Sequence, residues 1–343
     1  MRRTVAASNS SRIPGRVYLL LAVIIFAAAN SVTRKLTEIG SQNFIDGRNP
    51  ISFCNVLFVG NICALLVLLL IYWRQLSIRS FRQFSLKDWG SMAAVALLSG
   101  ALAPGVIFQA LSQTMVNNVV LVGRIESPLT LALSIWLLGE RTNGWEVTGA
   151  IVSFIGVVVT VVLQGLWDTT GSAGFGIGWG EILTAIGAVA VALSSIISKA
   201  GLDRIPIGIF SIFRTALGSV IFFFAALYFY GSNHFMDVFS PFLWKWMLVY
   251  GTIIVVVGQS FWLTGLKNSR GSDASLAGAF NPIVAVLAAY LILGEAPTPA
   301  QYFGGGIILC GIVLSQIGNW RRPSTSRGSH PQKIETGVGF KGV

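Results

Sequence analysis

The sequence predicts an all-α membrane protein with ten transmembrane helices, arranged as an inverted repeat of two five-helix halves. First, 54% of the 343 residues are hydrophobic and only 11% are charged, with a mean hydropathy of +0.72. A soluble domain carries about 25% charged residues. Second, ten apolar runs follow one another, most of them close to the roughly 20 residues that a spanning helix needs. Third, one pattern of proline, glycine and glutamate occurs in both halves.

The apolar runs are continuous and do not alternate between apolar and polar residues, which favours helices over the strands of a barrel. Most connections between them are short. Ten spans place both termini on the same side of the membrane. In chain order the runs cover residues 17–33, 51–73, 89–110, 116–138, 146–164, 179–199, 206–230, 243–266, 272–293 and 299–318.

The net charge of +11 does not indicate a nucleic-acid partner, because the basic residues collect at the ends of the spans. Eighteen Lys and Arg fall on the side that holds both tails, and four on the other side: Arg34, Lys35, Arg48 and Lys245. Basic connections favour the cytoplasmic side, so we expect both termini in the cytoplasm. Membrane lipids are the expected surroundings. A bacterial inner membrane fits the tails, with a eukaryotic organelle as the alternative.

The repeat rests on a spacing that occurs twice. Pro128 is followed by Gly139-Glu140, Gly149 and Gly156, and Pro282 by Gly294-Glu295, Gly304 and Gly311. After each proline the order is G-E, eight residues, G, six residues, G. Because each copy holds five spans, an odd number, the second copy must be inverted relative to the first. The expected domains are a tail at 1–16, repeats at 17–164 and 179–318, and a disordered tail at 319–343.

These glycines also carry structural expectations. Gly139 and Gly294 should end helices, and the following glutamates, Glu140 and Glu295, should satisfy backbone donors or a neighbouring helix end. The paired glycines lie seven residues apart, on one helix face, where small residues let helices approach closely. Asp273, at the start of the ninth span, should cap that helix.

The spans, the two halves and the duplicated signature resemble the EamA-type transporters of the drug/metabolite transporter superfamily. The resemblance covers about residues 17–318 and implies a membrane transporter for a small molecule. It does not indicate the substrate, since members export amino acids, other metabolites or drugs. The family's frequent arginine early in the second helix of a repeat has a match at Arg214, whereas the first copy has Phe58 there.

Arg124 and Glu126 are the main candidates for a functional site, because both lie inside the fourth apolar run. A charge at mid-bilayer costs about 2.5–3.5 kcal/mol on insertion scales, so it usually faces a cavity or a partner. Because Arg124 and Glu126 are two residues apart on a helix, their side chains should point from different faces of it. Pro128 loosens the helical turn that precedes it. Glu126 could carry a proton, and Arg124 could bind a substrate carboxylate or phosphate. The alternative is a structural ion pair with a neighbouring helix.

Asn281 precedes Pro282 at the place symmetric to Ser127 or Glu126, and it could reach a substrate or the carbonyls freed by the proline. Arg214 lies about two turns into the seventh span and could line the site or form a structural pair. Other polar or aromatic residues inside the spans are weaker candidates, each with packing or hydrogen bonding between helices as its alternative. They are Asn30, Gln109, Asn117, Asn118, Gln259 and Trp262.

Catalysis, metals and cofactors are not expected. Cys54, Cys63 and Cys310 show no paired spacing, and His234 and His330 lie outside the spans. The sequence has no P-loop and no G-x-S-x-G nucleophile motif.

We therefore interpret the chain as a secondary or facilitated transporter and not as an enzyme. It should export a small polar metabolite by alternating access. Arg124 and Arg214 favour an amino acid or another compound with an anionic group. Proton coupling and a homodimer stay open. The alternatives are an intramembrane enzyme acting on a lipid, which lacks a nucleophile–base pair, and a scaffold, which would not need buried charges.

Overall fold

The structure is a computed structural model that describes residues 14–44, 49–73, 84–140, 142–167, 178–201, 205–231, 239–267 and 271–320. Within these ranges every regular element is a helix, which confirms the all-α class for the described chain. Most of the two expected tails, 1–16 and 319–343, lies outside the described residues.

The helices occupy ten positions along the chain, labelled α1 to α10. Among the described residues, nine of these positions hold a helix long and apolar enough to cross a membrane. The remaining position, which is the ninth along the chain, holds two shorter helices, α9a and α9b. In order they are α1 (Gly15–Ser41), α2 (Phe53–Tyr72), α3 (Leu86–Leu111), α4 (Val116–Leu138), α5 (Gly144–Trp167), α6 (Trp179–Gly201), α7 (Ile207–Tyr230), α8 (241–267), α9a (Gly271–Ala279), α9b (Asn281–Leu293) and α10 (Pro299–Trp320).

Interruptions of the helices occur at matching places in the two halves. A 3₁₀ turn at Gly123–Ile125 divides α4, and a break at Phe280 separates α9a from α9b. Each break lies just before a proline, Pro128 or Pro282, whose missing N–H weakens the preceding turn. Both α3 and α8 contain a π-helical segment, at Ala96–Leu102 and Gly251–Gly258. The internal similarity therefore extends to local backbone irregularities.

Gly139 and Gly294 end α4 and α9b, as the sequence predicts. Both have positive φ, 63° and 72°, in the left-handed region that a residue with a Cβ rarely adopts. The backbone N–H groups of the next residues, Glu140 and Glu295, turn back to carbonyls inside the helix, a common way to finish a helix.

The paired glycines of the repeat signature lie where α5 and α10 cross closely. A Cβ added at Gly156 would lie 2.7 Å from the Ile308 nitrogen and 2.9 Å from the Gly304 oxygen. At the other end of the crossing, Gly149 lies against Gly311. The contact partners run in opposite sequence order, so the two helices are antiparallel. The expectation that these glycines are packing positions is confirmed.

The first helix of each half packs mainly against the other half. On α1, Leu19 meets Gly265 of α8, where an added Cβ would lie 2.7 Å from the Leu19 Cγ, and α1 also contacts α9b. In the same way α6 packs on α3 and α4, with Gly187 against Ile107. The two sequence halves are therefore interlocked.

The outer surface of the bundle carries large apolar side chains. Leu70, Trp136 and Phe224 are 77%, 80% and 62% exposed. Large exposed apolar side chains of this kind are unsuited to water and normal on lipid-facing helices.

Candidate functional site

The two helix breaks meet. Arg124, in the 3₁₀ turn of α4, donates a hydrogen bond from Nη2 to Oδ1 of Asn281, the first residue of α9b, at 2.8 Å. The sequence indicated both residues as site candidates, and the structure brings them into direct contact. The two halves are thus joined by a charged donor and a neutral acceptor at the places where both helices are interrupted.

Glu126 is the first residue after the 3₁₀ turn, and its charge interacts electrostatically with Arg124. The turn itself contacts α5 and α6, and Gly123 faces Thr184 of α6. Arg124 thus reaches across to a neighbouring helix, α9b. The site therefore combines a guanidinium, a carboxylate and an amide.

Arg214 lies at the contact between α7 and α3. Its carbonyl and its Cγ face Gly100, in the π-helical segment of α3, at 2.9 Å and 3.6 Å from the position that a Cβ there would take. Its Nε atom is buried and has no hydrogen-bond partner among the residues that the structure describes. A guanidinium in this condition can accommodate a further anionic group.

Four of the remaining candidates fall on α1, α3 and α8. Trp262 is only 5% exposed and packs edge-on against Phe26 of α1, with ring centroids 6.4 Å apart. Gln259, at the end of the π-helical segment of α8, has a buried Oε1 that accepts no hydrogen bond within the described ranges. Gln109 on α3 and Asn30 on α1 are half-buried. The structure thus groups Arg124, Glu126 and Asn281, and places Trp262 in the packing between α1 and α8.

Asn118 is the centre of a polar cluster that sequence reasoning did not assemble. Its Nδ2 donates to Glu181 Oε1 at 2.8 Å and to Thr114 Oγ1 at 3.1 Å. The Thr114 hydroxyl donates to the same Glu181 oxygen at 2.5 Å, and Gln301 Nε2 donates to Asn118 Oδ1 at 2.6 Å. This Asn118 cluster, Thr114, Asn118, Glu181 and Gln301, ties α4 to α6 and α10.

Other hydrogen bonds tie the helices at the same end of the bundle. Glu295 accepts from the backbone N–H of Val116, the first residue of α4, at 2.8 Å, which is the helix-end role predicted for it. Burial raises the pKa of Glu295, and this hydrogen bond opposes the rise. Arg34 of α1 donates to the Leu111 carbonyl at the end of α3. Counting α9b, which ends just before Glu295, six helices contribute to these bonds at what we call the Asn118 end.

The opposite end, which we call the Asp273 end, is linked by ion pairs. Asp273, in the first turn of α9a, meets Arg16 of α1 at 3.0 Å, and Lys199 of α6 meets Glu140 at 3.0 Å. A carboxylate in the first turn also interacts favourably with the helix dipole. Glu146, in the first turn of α5, is only 7% exposed.

Within the described part of the chain, no group of three His, Cys, Asp or Glu side chains could hold a metal ion. Cys54, Cys63 and Cys310 are free thiols.

Comparison with known proteins adds three findings. Residues 13–162 and 178–316 each match the model of the EamA-like transporter family. An uncharacterized transporter of Synechocystis sp. (strain PCC 6803) is 48% identical over 332 residues, covering 95% of both chains. A solved crystal structure matches with a TM-score of 0.57 at 18% identity, covering 90% of this chain and 99% of the other, and at that identity it supports the fold alone.

Proposed function

The chain belongs to the EamA-like transporter family, and we propose on that basis that it is a ten-span carrier made of two inverted five-helix halves. The α5–α10 crossing supports the inversion. Gly149 faces Gly311, the counterpart of Gly156, and Gly156 faces Gly304, the counterpart of Gly149. Two copies of one unit make such an exchanged, antiparallel contact when a two-fold axis relates them.

The ninth position completes the set of ten spans, because α9a and α9b together form one span. Residues 271–293 are 23 residues long, and at 1.5 Å per residue they extend about 34 Å, enough for a hydrocarbon core of about 30 Å. Their counterpart, α4, is likewise interrupted and qualifies as a span. The repeats then correspond to 17–164 and 179–318, with cytoplasmic tails at 1–16 and 319–343.

The site lies near mid-depth. Arg124 is eight residues from the start of α4 at the Asn118 end, about 12 Å. Asn281 is ten residues from the start of α9a at the Asp273 end, about 15 Å. The 2.8 Å hydrogen bond between them is the observation that carries the proposal, because it joins the two interrupted helices between the membrane faces. Interrupted helices that meet at the midplane form the substrate sites of many carriers.

The proposed substrate is a small polar metabolite with a carboxylate or phosphate group, an amino acid among the candidates, and the proposed direction is export. Arg124 supplies the positive charge, Asn281 orients it, and Glu126 could carry a proton. Arg214, whose buried Nε has no partner in the described chain, is a second cationic contact. The remaining proposed site residues are Gln109, Gln259, Trp262 and Asn30.

The chain is an integral membrane protein. We place the Asp273 end in the cytoplasm together with both termini, because the basic residues collect at that side. The proposed location is a bacterial inner membrane, consistent with the occurrence of the similar transporter in Synechocystis.

Counterflow in proteoliposomes tests the proposal. Purified wild-type protein should exchange one or more of a panel of radiolabelled amino acids and organic anions. Arg124→Gln should lose at least tenfold of that exchange, and Glu126→Gln should abolish it or remove its pH dependence. Lys245→Gln, which removes an exposed cation, is the matched control and should keep wild-type exchange.

Unchanged exchange in Arg124→Gln would remove the proposed site, and unchanged exchange and pH dependence in Glu126→Gln would end its role as proton carrier. Formation of a product without accumulation in the vesicles would favour an intramembrane enzyme.

A further inference from the structure

The Asn118 cluster has a counterpart at the opposite end of the molecule. The two halves are related by a shift of 155 residues in this region: α4 begins at Val116 and α9a at Gly271, and α5 begins at Gly144 and α10 at Pro299. The same shift relates Asn118 to Asp273 and Glu146 to Gln301.

The third member of the cluster has a counterpart as well. Arg16 and Glu181 both lie in the first turn of the first helix of their half, α1 and α6. Their contacts are alike, because Glu181 binds Asn118 at 2.8 Å and Arg16 binds Asp273 at 3.0 Å. In each half, the first helix thus contacts the start of an interrupted helix from the other half.

The chemistry of the two clusters differs. At the Asn118 end two amides meet, and the Gln301 Nε2 donates to the Asn118 Oδ1 at 2.6 Å. An amide pair makes this bond without any proton from solution, since one group donates and the other accepts. At the Asp273 end the equivalent positions are both carboxylic acids, Asp273 and the buried Glu146, which is 7% exposed.

We propose that Asp273 and Glu146 together form a binding site for one proton. The proposal rests on alternating access by inverted halves, the proposed function. In the state in which the Asp273 end adopts the packing that the Asn118 end has here, Glu146 lies against Asp273 in the way that Gln301 lies against Asn118. Two carboxylates at hydrogen-bonding distance cannot both be ionised, so one proton is taken from the cytoplasm and is held in an O–H···O⁻ bond between them.

Several charged groups lie around the two carboxylates. Arg16 of α1 pairs with Asp273, and α10, whose Gly318 lies against Glu146, is followed in sequence by Arg321 and Arg322. Glu140 and Lys199, at the ends of α4 and α6, are paired with each other. Arg124 lies in the turn that packs on α5, and Lys267 ends α8.

Because of this site, closure of the two ends of the molecule depends differently on pH. Closing the Asn118 end requires no proton, whereas closing the Asp273 end binds one. Acidification therefore favours the state that is closed to the cytoplasm, and the equilibrium between the two states changes by up to tenfold per pH unit.

Hydrogen–deuterium exchange of the full chain in nanodiscs tests the site without a substrate. After correction for intrinsic rates, peptides covering 144–152 and 271–279 should exchange more slowly at about pH 5.5 than at about pH 8, by at least threefold. Peptides covering 116–122 should exchange faster at about pH 5.5 than at about pH 8. Glu146→Gln and Asp273→Asn install the residue types found at the other end, so their exchange should be independent of pH.

Glu140→Gln is the matched control, since it removes a carboxylate at the same end that belongs to another ion pair, and it should keep the wild-type pH response. A wild type without a pH response, or a Glu146→Gln protein that responds like wild type, would overturn the proton site. Absence of counterflow with the exchange response intact would instead remove the substrate transport proposed above. The two failures are therefore distinguishable.

Discussion

Arg124 is a charge held by a neutral partner. Asn281 accepts a hydrogen bond from its guanidinium at 2.8 Å and fixes its direction without cancelling its charge. Glu126 interacts with the same charge from the adjoining helical segment. In the proposed site, an arginine oriented in this way keeps part of its positive potential for an anionic substrate.

Substitutions at Asn281 distinguish two effects on Arg124, the orientation of its guanidinium and the neutralisation of its charge. Asn281→Leu removes the acceptor and should lower the stability of the folded protein by about 1.5–3 kcal/mol, the usual cost for a hydrogen bond to a charged group. Asn281→Asp keeps the acceptor and should retain stability, but it should lose counterflow because the new carboxylate neutralises Arg124. Thermal unfolding followed with a thiol-reactive dye is suitable, since Cys54 is fully buried in the native state. Equal stability of wild type and Asn281→Leu would show that the bond contributes little.

Helices whose regular hydrogen bonding is interrupted occur in matched pairs in this molecule. α4 and α9 break before a proline, and α3 and α8 each contain a π-helical segment. By contrast α5 and α10 are continuous and cross closely through glycines. Interrupted helices leave backbone groups for side chains or ligands, and π-helical segments are frequent at functional sites. The uninterrupted pair has the geometry of a fixed support.

The α5–α10 crossing should tolerate no side chain at its glycines. Gly156→Leu places a branched side chain where even a Cβ would be 2.7 Å from the Ile308 nitrogen, so the helices must separate. The variant should lose its monodisperse peak in size-exclusion chromatography. Gly306→Leu is the control on the facing helix, because a Cβ there meets nothing within 4 Å, and it should behave like wild type. A monodisperse Gly156→Leu protein would contradict the close crossing.

The sequence predicted the positions of the helices well, and their ends less well. The expected run 116–138 coincides with α4, whereas the expected run 17–33 becomes α1, Gly15–Ser41. Hydropathy detects the apolar part only, and α1 continues through Arg34, Lys35 and Glu38. These residues are good helix formers, and Arg34 pairs with Glu38 one turn later at 3.3 Å.

At the scale of the whole molecule, the repeat could be predicted and the contacts between helices could not. Arg124, Glu126 and Asn281 were detectable because polar groups inside apolar runs are unusual. Glu181 and Gln301 lie near helix ends, where polar residues are ordinary, and their bonds to Asn118 span 63 and 183 residues of sequence. Spacing within a chain does not encode such long-range pairing. Aligning the halves residue by residue is the step that relates the two polar clusters.

Labelling from either side of the membrane tests the arrangement of the halves. Leu86, at the start of α3, and Phe239, just before α8, are 88% and 85% exposed. In a background without Cys54, Cys63 and Cys310, a membrane-impermeant maleimide should label Phe239→Cys in intact cells. It should label Leu86→Cys only after permeabilisation. Labelling of both from the same side would show that the two copies are parallel.

The exchange of first helices has a consequence for how such a protein is assembled. Residues 13–162 alone would lack the surfaces of α8 and α9b on which α1 rests, so an isolated half would present that face of α1 to lipid. Fragments divided between α5 and α6 should therefore be degraded when produced singly and recovered when produced together. A single-copy ancestor with this packing would have been an obligate dimer in which each subunit packed its first helix against the other subunit. Fusion of two copies would have made that association permanent.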